Sequence, residues 1–363
     1  MSRTDPDGLL AGVKVLDFSI WRPGPYATQL LAEIGADVVK VEPPGGDPMR
    51  AAYPGLFAGL NANKRSIVLD LKDPAGLARA RKLVAVADVL VEGFRPGVMA
   101  RLGLAYDDAR AVNAAIVYCS LSGMGQTGAL SAVSGHDLNY QAWAGALAPD
   151  GGPPVVSAVP IADLAGGMVS AFAVTAALYR RQRTGEGEYI DAAMGDVLAT
   201  WTGTIRAQAG GADPAVRGVP GYGIFETADG RYVTLAVLAE DHFWRALCET
   251  LRLGAVADLG FAARLGRLAE LQAQIAAAIR REPQSALIDR LLAANVPAAP
   301  VSDRAGMVAH PHFGERGVVT ADPWADPATG YPVRFGAHPA RRHSPPPELD
   351  ADGAADIWTV GAR

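Results

Sequence analysis

The chain has 363 residues, 50% of them hydrophobic, with two cysteines and a formal net charge of −5. That length is the scale of about two domains with a sizeable core, and the charge excludes a general nucleic-acid surface while leaving room for a local basic pocket. No uninterrupted apolar run reaches the roughly 18 residues of a membrane span, and the start Met-Ser-Arg-Thr-Asp-Pro-Asp carries no signal-peptide core. A cytoplasmic protein with neither a membrane nor a nucleic-acid partner is expected. Cys119 and Cys248 sit in apolar contexts without metal spacing and read as buried thiols of a reducing compartment.

The first 120 or so residues alternate strand and helix patterns with short connections. Val13–Phe18 reads as a strand, Ala27–Ile34 as a helix and Ala36–Val41 as a second strand. The pattern repeats with strand Ser66–Leu71, helix Pro74–Val86, strand Asp88–Glu92, helix Asp107–Asn113 and strand Ala115–Ser120, which predicts a doubly wound parallel sheet. The first strand-to-helix turn, Trp21-Arg22-Pro23-Gly24-Pro25, lacks the glycine spacing that lets a dinucleotide pyrophosphate approach the backbone. A helix over Leu164–Arg183 stops at Thr184-Gly185-Glu186-Gly187 before the strand-like Tyr189-Ile190-Asp191, and another helix pattern runs from Ala193 past Trp201. The polar, glycine-rich stretch Ala209–Gly221 then marks the approach to a new domain. It opens on a hairpin over Phe225–Leu235 with an Asp229-Gly230 turn, followed by helices over Asp241–Arg252 and Leu265–Ala294. The tail from Asp322 is dense in Pro and Asp, as suits a segment lying along another surface.

Two sites carry chemistry. Gly135-His136-Asp137-Leu138-Asn139-Tyr140 and Ile161-Ala162-Asp163-Leu164-Ala165-Gly166-Gly167 set a histidine and a carboxylate among small residues, which suits a pair moving a proton to and from carbon. A neutral histidine does this near pH 7, whereas an aspartate needs apolar surroundings that raise its pKa. Taken alone, His136 is a structural histidine at a helix start and Asp163 an N-cap of the helix beginning Leu164. Asp137 reads as a cap or an orienting partner for His136. Glu240, followed by Asp241, is by default the carboxylate favoured at a helix N-terminus. Lys40, Lys64, Arg65, Lys72, Arg95 and Arg101 fall after strands or at helix edges, where open α/β sheets bind ligands. His242, His310, His312, His338 and His343 lack a companion metal-site spacing, and no metal is expected. Trp143, Trp201 and Tyr222 are candidates for an apolar pocket wall.

The order Gly35-Ala36-Asp37-Val38-Val39-Lys40-Val41-Glu42, Lys64-Arg65-Ser66, Asp70-Leu71-Lys72, Glu92-Gly93-Phe94-Arg95-Pro96-Gly97-Val98, Arg101-Leu102-Gly103-Leu104, Gly123 to Gly128 and Thr184-Gly185-Glu186-Gly187 resembles the class III CoA-transferase (CaiB/BaiF) family. His136-Asp137 before Asn139-Tyr140, with Glu240 and Phe243, resembles its α-methylacyl-CoA racemase branch. The resemblance implies a Rossmann-like large CoA-binding domain over 1–188 with 322–363 and a smaller α+β domain over 219–304. Linkers would cover 189–218 and 305–321, and the implied assembly is an interlocked, ring-like homodimer. It implies His136 and Asp163 as the acid/base pair, with Glu240 supporting the histidine from the small domain of the same protomer or its partner; Asp137 is read from its position as a supporting residue rather than a proton carrier. Leu69, Lys72, Gly93, Arg95 and Arg101 would lie against the CoA moiety of the substrate, with no further cofactor.

The leading expectation is therefore a racemase that inverts the α-carbon of a 2-methylacyl-CoA or 2-arylacyl-CoA by 1,1-proton transfer through an enolate. Backbone N–H groups near the helix start at His136-Asp137 would stabilise that enolate. The alternative is a transferase in which Asp163 attacks the acyl-CoA, passing through a mixed anhydride to an enzyme–CoA thioester. A non-catalytic acyl-CoA binder is a third reading.

Overall fold

The computed structural model describes residues 7–147, 153–203, 218–320, 328–341, 344–355 and 357–358. Most of the polar stretch read over Ala209–Gly221, the first residues of the tail from Asp322, and His343 lie outside those described. The chain divides into two compact units, Met1–Thr204 with Pro311–Arg363 and Ile205–His310.

The first unit is built on six parallel strands, β1 (Lys14–Asp17), β2 (Asp37–Glu42), β3 (Arg65–Val68), β4 (Val89–Glu92), β5 (Val117–Ser122) and β6 (Glu188–Ala193). They lie in the order β3-β2-β1-β4-β5-β6, the doubly wound arrangement in which chain direction across the sheet reverses between β1 and β4. Strand side chains alternate between faces. Leu16, Val39, Leu90 and Tyr118 enter one apolar cluster, whereas Val15, Val38, Val89 and Val117 enter another. Covering both faces is what a parallel sheet requires. The crossover segments hold α1 (Pro23–Glu33), α2 (Met49–Ala52), α3 (Pro54–Asn61), α4 (Pro74–Val84), α5 (Val98–Leu102), α6 (Tyr106–Val112), α7 (Asp137–Trp143) and α8 (Ile161–Thr184), and α9 (Met194–Gly203) follows β6.

Helix boundaries differ from the sequence expectation where proline is involved. α1 begins at Pro23 rather than Ala27, because a proline in the first turn lacks only an N–H that would have no intrahelical partner anyway. α8 begins at Ile161 rather than Leu164, which moves Asp163 from the cap into the first turn. α8 is also the one described helix long and apolar enough to cross a membrane, although its sequence holds no uninterrupted run of that length. Half of that window is buried, and the helix packs on α1, α7, α9, β5 and β6, as a core helix does.

The C-terminal tail covers the exposed edge of β3. Val68 N–H donates to Asp350 at 2.7 Å and Ser66 N–H to Asp352 at 3.1 Å, while Trp358 Nε1 donates to Asp37 at 2.8 Å. Aspartates thereby satisfy edge N–H groups that would otherwise invite a further strand.

The second unit packs an antiparallel sheet of β7 (Tyr222–Glu226), β8 (Tyr232–Ala236) and β9 (Ala298–Pro300) against α10 (Asp241–Thr250), α11 (Phe261–Leu265), α12 (Leu268–Ile279) and α13 (Gln284–Ala293). Val233, Trp244, Leu247, Ile275 and Leu287 fill its core. The single helix expected over Leu265–Ala294 is broken, with α12 capped at Arg280 and Pro283 standing as the N-cap of α13. Pro283 cannot donate the interior bond that a continuous helix demands.

Candidate active site

The site lies in the first unit, at the carboxyl ends of β1 and β4, where the sheet order reverses and open α/β sheets leave a crevice. A cavity of about 790 Å³ opens there. One wall is the turn after β1, including Trp21, and another is Gly93, Phe94 and Arg95 after β4. His136, Tyr140 and Asp163 also line it.

The β1–α1 turn is fixed from below by a buried polar network. Asp17, fully buried at the end of β1, accepts from Ser19 N–H at 2.9 Å, from the Ser19 hydroxyl, from Thr28 Oγ1 at 2.6 Å and from Lys64 Nζ at 3.0 Å. Lys64 Nζ also donates to Pro25 O and Asn61 Oδ1, each at 2.9 Å. Lys40 Nζ donates to Ser19 O at 2.8 Å and pairs with Asp47 at 2.9 Å. Burial pushes the Asp17 carboxyl up, but Lys64, Lys40 and the two hydroxyls outweigh it and hold its pKa down at about 2. This corrects the sequence expectation for Lys40 and Lys64: both are fully buried and brace the turn, out of reach of any phosphate. Arg65 is likewise occupied, bidentate on Asp37 at 3.0 and 2.6 Å.

Asp163 is aimed by α8. A Cβ on Gly167 would lie 2.6 Å from the Pro23 carbonyl oxygen, so only glycine lets α8 approach the start of α1 this closely. Asp163, one turn earlier on the same face, then stands with Oδ2 3.8 Å from Arg22 Nε. Asp163 is therefore not the N-cap that its sequence context indicates. Asp137 does that work from α7: its Oδ1 accepts Ala162 N–H at 2.7 Å and Asp163 N–H at 3.1 Å, and its Oδ2 accepts Gln141 Nε2 at 2.6 Å. The supporting role of Asp137 is thus directed at Asp163 rather than at His136. Burial raises the Asp163 pKa to about 6, reinforced by the Asp137 charge and opposed by Arg22 and His136.

His136 is the N-cap of α7, exposed, with its N–H donating to Asn139 Oδ1 at 3.0 Å. The nearby amides do not all remain available for an enolate. Asn139 and Tyr140 N–H groups donate to the His136 carbonyl at 2.8 and 3.2 Å, and those of Ala162 and Asp163 are held by Asp137. The Tyr140 hydroxyl bonds the Gly135 carbonyl and closes the loop behind the histidine.

Gly93, Arg95 and Arg101 line the same cavity as His136 and Asp163. Leu69 is buried in the sheet core, and Lys72 is exposed with its N–H bonded to Asp70; neither lines the cavity. Glu240 belongs to the second unit, as the N-cap residue of α10, where its Oε2 accepts Leu238 N–H at 3.3 Å. Trp143 and Trp201 are half exposed and Tyr222 opens β7; the apolar walls of the cavity are Trp21, Phe94 and Met194 instead. Sequence reasoning missed Trp21 and Arg22. Their signal is the Pro23-Gly24-Pro25 run, which starts a helix at the sheet's switch point and leaves Trp21 in the cavity wall and Arg22 beside Asp163.

Comparison with known proteins decides the family: the model of "CoA-transferase family III" matches residues 10–353. The chain belongs to CoA-transferase family III. Acetyl-CoA:oxalate CoA-transferase of Acetobacter aceti is 34% identical, the match covering 96% of this chain and 95% of that one. Alpha-methylacyl-CoA racemase of Homo sapiens is 36% identical over 67% of this chain and 65% of its own length. A CaiB/BaiF family protein from Brucella suis has the same fold, with a TM-score of 0.86 at 31% identity over 96% of this chain and 98% of that one. Family III proteins bind acyl-CoA substrates.

Proposed function

We propose that the protein transfers coenzyme A between carboxylic acids, with Asp163 as the nucleophile. The observation that carries this reading is the Asp163 carboxylate itself. It lines the cavity at the switch point, its side chain is 18% exposed, and its pKa of about 6 leaves it ionised at pH 7 yet more basic than an ordinary aspartate. An Asp163 oxygen attacks the thioester carbonyl and expels CoA thiolate, giving a mixed anhydride. The thiolate attacks the Asp163 carbonyl and releases the donor acid, leaving an Asp163–CoA thioester. An acceptor carboxylate repeats the two steps in reverse order of roles. Arg95 and Arg101 meet the CoA phosphates in this reading, supported by their position in the lining of the same cavity.

This reading replaces racemisation as the leading one. The relatives that cover nearly the whole chain carry transferase names, whereas the racemase match covers 67% of it. Racemisation stays as a second reading because His136 lines the cavity with Asp163, acts on its charge, and so supplies a second proton carrier. One experiment separates them. The protein is incubated with acetyl-CoA and with a single enantiomer of a 2-methylacyl-CoA in D₂O, with and without a free carboxylic acid, and quenched with hydroxylamine. Transfer predicts acceptor-dependent exchange of CoA and a hydroxamate on Asp163 by peptide mass spectrometry. Deuterium uptake at the α-carbon without an acceptor, with no adduct on Asp163, would reverse the order.

A further inference from the structure

The proposed transfer places an unusual demand on charge. The nucleophile is a carboxylate, Asp137 supplies a second one bonded to its backbone, and the incoming acceptor is a third. An acid approaching this pair needs a cation whose donors are not already spent. Arg22 meets that description. It is the residue before α1, its side chain is 32% exposed, and its Nε lies 3.8 Å from Asp163 Oδ2, beyond hydrogen-bond reach. Among the described residues its guanidinium makes no hydrogen bond. Arg50 and Arg65 of this unit are spent, bidentate on Glu42 and on Asp37; Arg95 and Arg101 line the same cavity, but among the described residues Arg22 is the arginine paired with Asp163. The backbone of Arg22 is held in place by the turn that carries it, which is braced by the Asp17, Lys40 and Lys64 network.

We propose that Arg22 receives the reacting carboxylate of the acceptor acid and so makes the protein selective for carboxylates over neutral nucleophiles. This rests on the transfer reading. In the resting protein the Arg22 cation faces the Asp163 anion. When Asp163 becomes a CoA thioester that anion is gone, and the guanidinium is left without a counter-charge beside an electrophilic carbonyl. A carboxylate is the ligand that restores neutrality there, with a fork of N–H donors to hold it. One of its oxygens then attacks the thioester carbonyl, the C–S bond breaks and CoA leaves as thiolate. The thiolate attacks the acceptor carbonyl of the resulting anhydride, the C–O bond to Asp163 breaks, and the Asp163 carboxylate returns to its place beside Arg22. No proton, oxidant or further reactant is consumed. Because the guanidinium sits at the nucleophile itself, it engages the reacting end of the acid, so monocarboxylates and dicarboxylates depend on it alike.

The test preforms the enzyme–CoA thioester with acetyl-CoA, removes free acyl-CoA rapidly, and measures its consumption by propionate, by succinate and by neutral hydroxylamine. In Arg22→Gln, the carboxylate rates fall roughly 10- to 100-fold relative to the hydroxylamine rate, the scale of a lost charge-assisted hydrogen bond. Arg22→Lys keeps the charge without the fork and recovers part of that ratio. An unchanged ratio in both variants overturns the role of Arg22 while leaving the transfer reading intact. A loss confined to succinate overturns it too, since it would place the contact at a distal carboxylate. Failure of the unaltered protein to form any thioester would overturn the transfer reading, and this inference with it, before a ratio is measured.

Discussion

Asp17 and Asp163 are both largely buried aspartates within one unit, and their environments drive them apart. Asp17 has a lysine ammonium at 3.0 Å and hydroxyl donors on both oxygens, and its pKa falls to about 2 despite full burial. Asp163 has its cation at 3.8 Å and a second carboxylate bonded to its own backbone, and its pKa rises to about 6. Burial works upward on both carboxyls; the distance and number of the compensating donors decide the sign. A carboxylate saturated with donors is a structural brace, whereas one left short of them keeps the basicity needed to attack a thioester.

The largest effect is expected from breaking the brace. Asp17→Asn leaves Lys64 fully buried without the anion that opposes the downward push of burial on its pKa, and the cost should be about 3–5 kcal/mol in urea unfolding. A loss below about 1 kcal/mol would mean that the remaining donors and acceptors satisfy Lys64 and that the pair does not hold the turn. The acid dependence follows from the sign of the shift. The folded pKa of about 2 lies below the ordinary 3.8, so this stabilisation is fully present above about pH 4 and is lost as pH falls toward 2.

Asp163 should show the opposite sign. Its folded pKa of about 6 exceeds the ordinary 3.8, so the folded state retains a proton that the unfolded chain releases. Stability therefore falls as pH rises from about 4 through 6. Asp163→Asn removes that cost and should unfold about 2–3 kcal/mol later than the unaltered protein at pH 7.5, nearly equally at pH 4, with CoA transfer reduced on the order of 10³-fold or more. Equal stability of the two proteins at both pH values would show that the carboxylate is not strained in the fold.

The two aspartates also mark how far the sequence could be read. The alternating strand and helix patterns place β1 to β6 because their Val, Ile and Leu runs are local signals, and parallel strands buried on both faces need little else to declare themselves. His136 and Asp163 are legible as a pair because each sits in a distinctive run of small residues. Which carboxylate caps α8 is not legible, since Asp137 reaches Ala162 and Asp163 across a chain separation that no spacing rule covers. Lys40 and Lys64 read as ligand-binding cations for the same reason: strand ends beside a cleft look alike in sequence whether the side chain turns outward or, as here, inward to Asp47 and Asp17. For Arg22 the Pro23-Gly24-Pro25 run marks a helix start but not what the side chain faces. Its importance comes from Gly167, on another helix, allowing α8 to bring Asp163 beside it.

The smallest effect is the most direct probe of that juxtaposition. Arg22 pulls the Asp163 pKa down against burial and Asp137, so Arg22→Gln should move it further up. With the Arg22 side chain about one-third exposed, solvent screens the interaction, and the rise should be on the order of half a unit. The observable is the pH dependence of single-turnover thioester formation from acetyl-CoA, which needs Asp163 ionised and so rises with pH through its pKa. The midpoint of that acid limb should shift upward in Arg22→Gln and stay near its original position in Arg22→Lys, where the charge survives. At pH 5.5 the glutamine variant would be slower for this reason alone by up to about threefold, an effect that disappears above pH 7.5 once both proteins are ionised. A midpoint that does not move in either variant would assign the downward pull to His136, the other group that lowers the pKa of this carboxylate, and His136→Ala would then carry the shift.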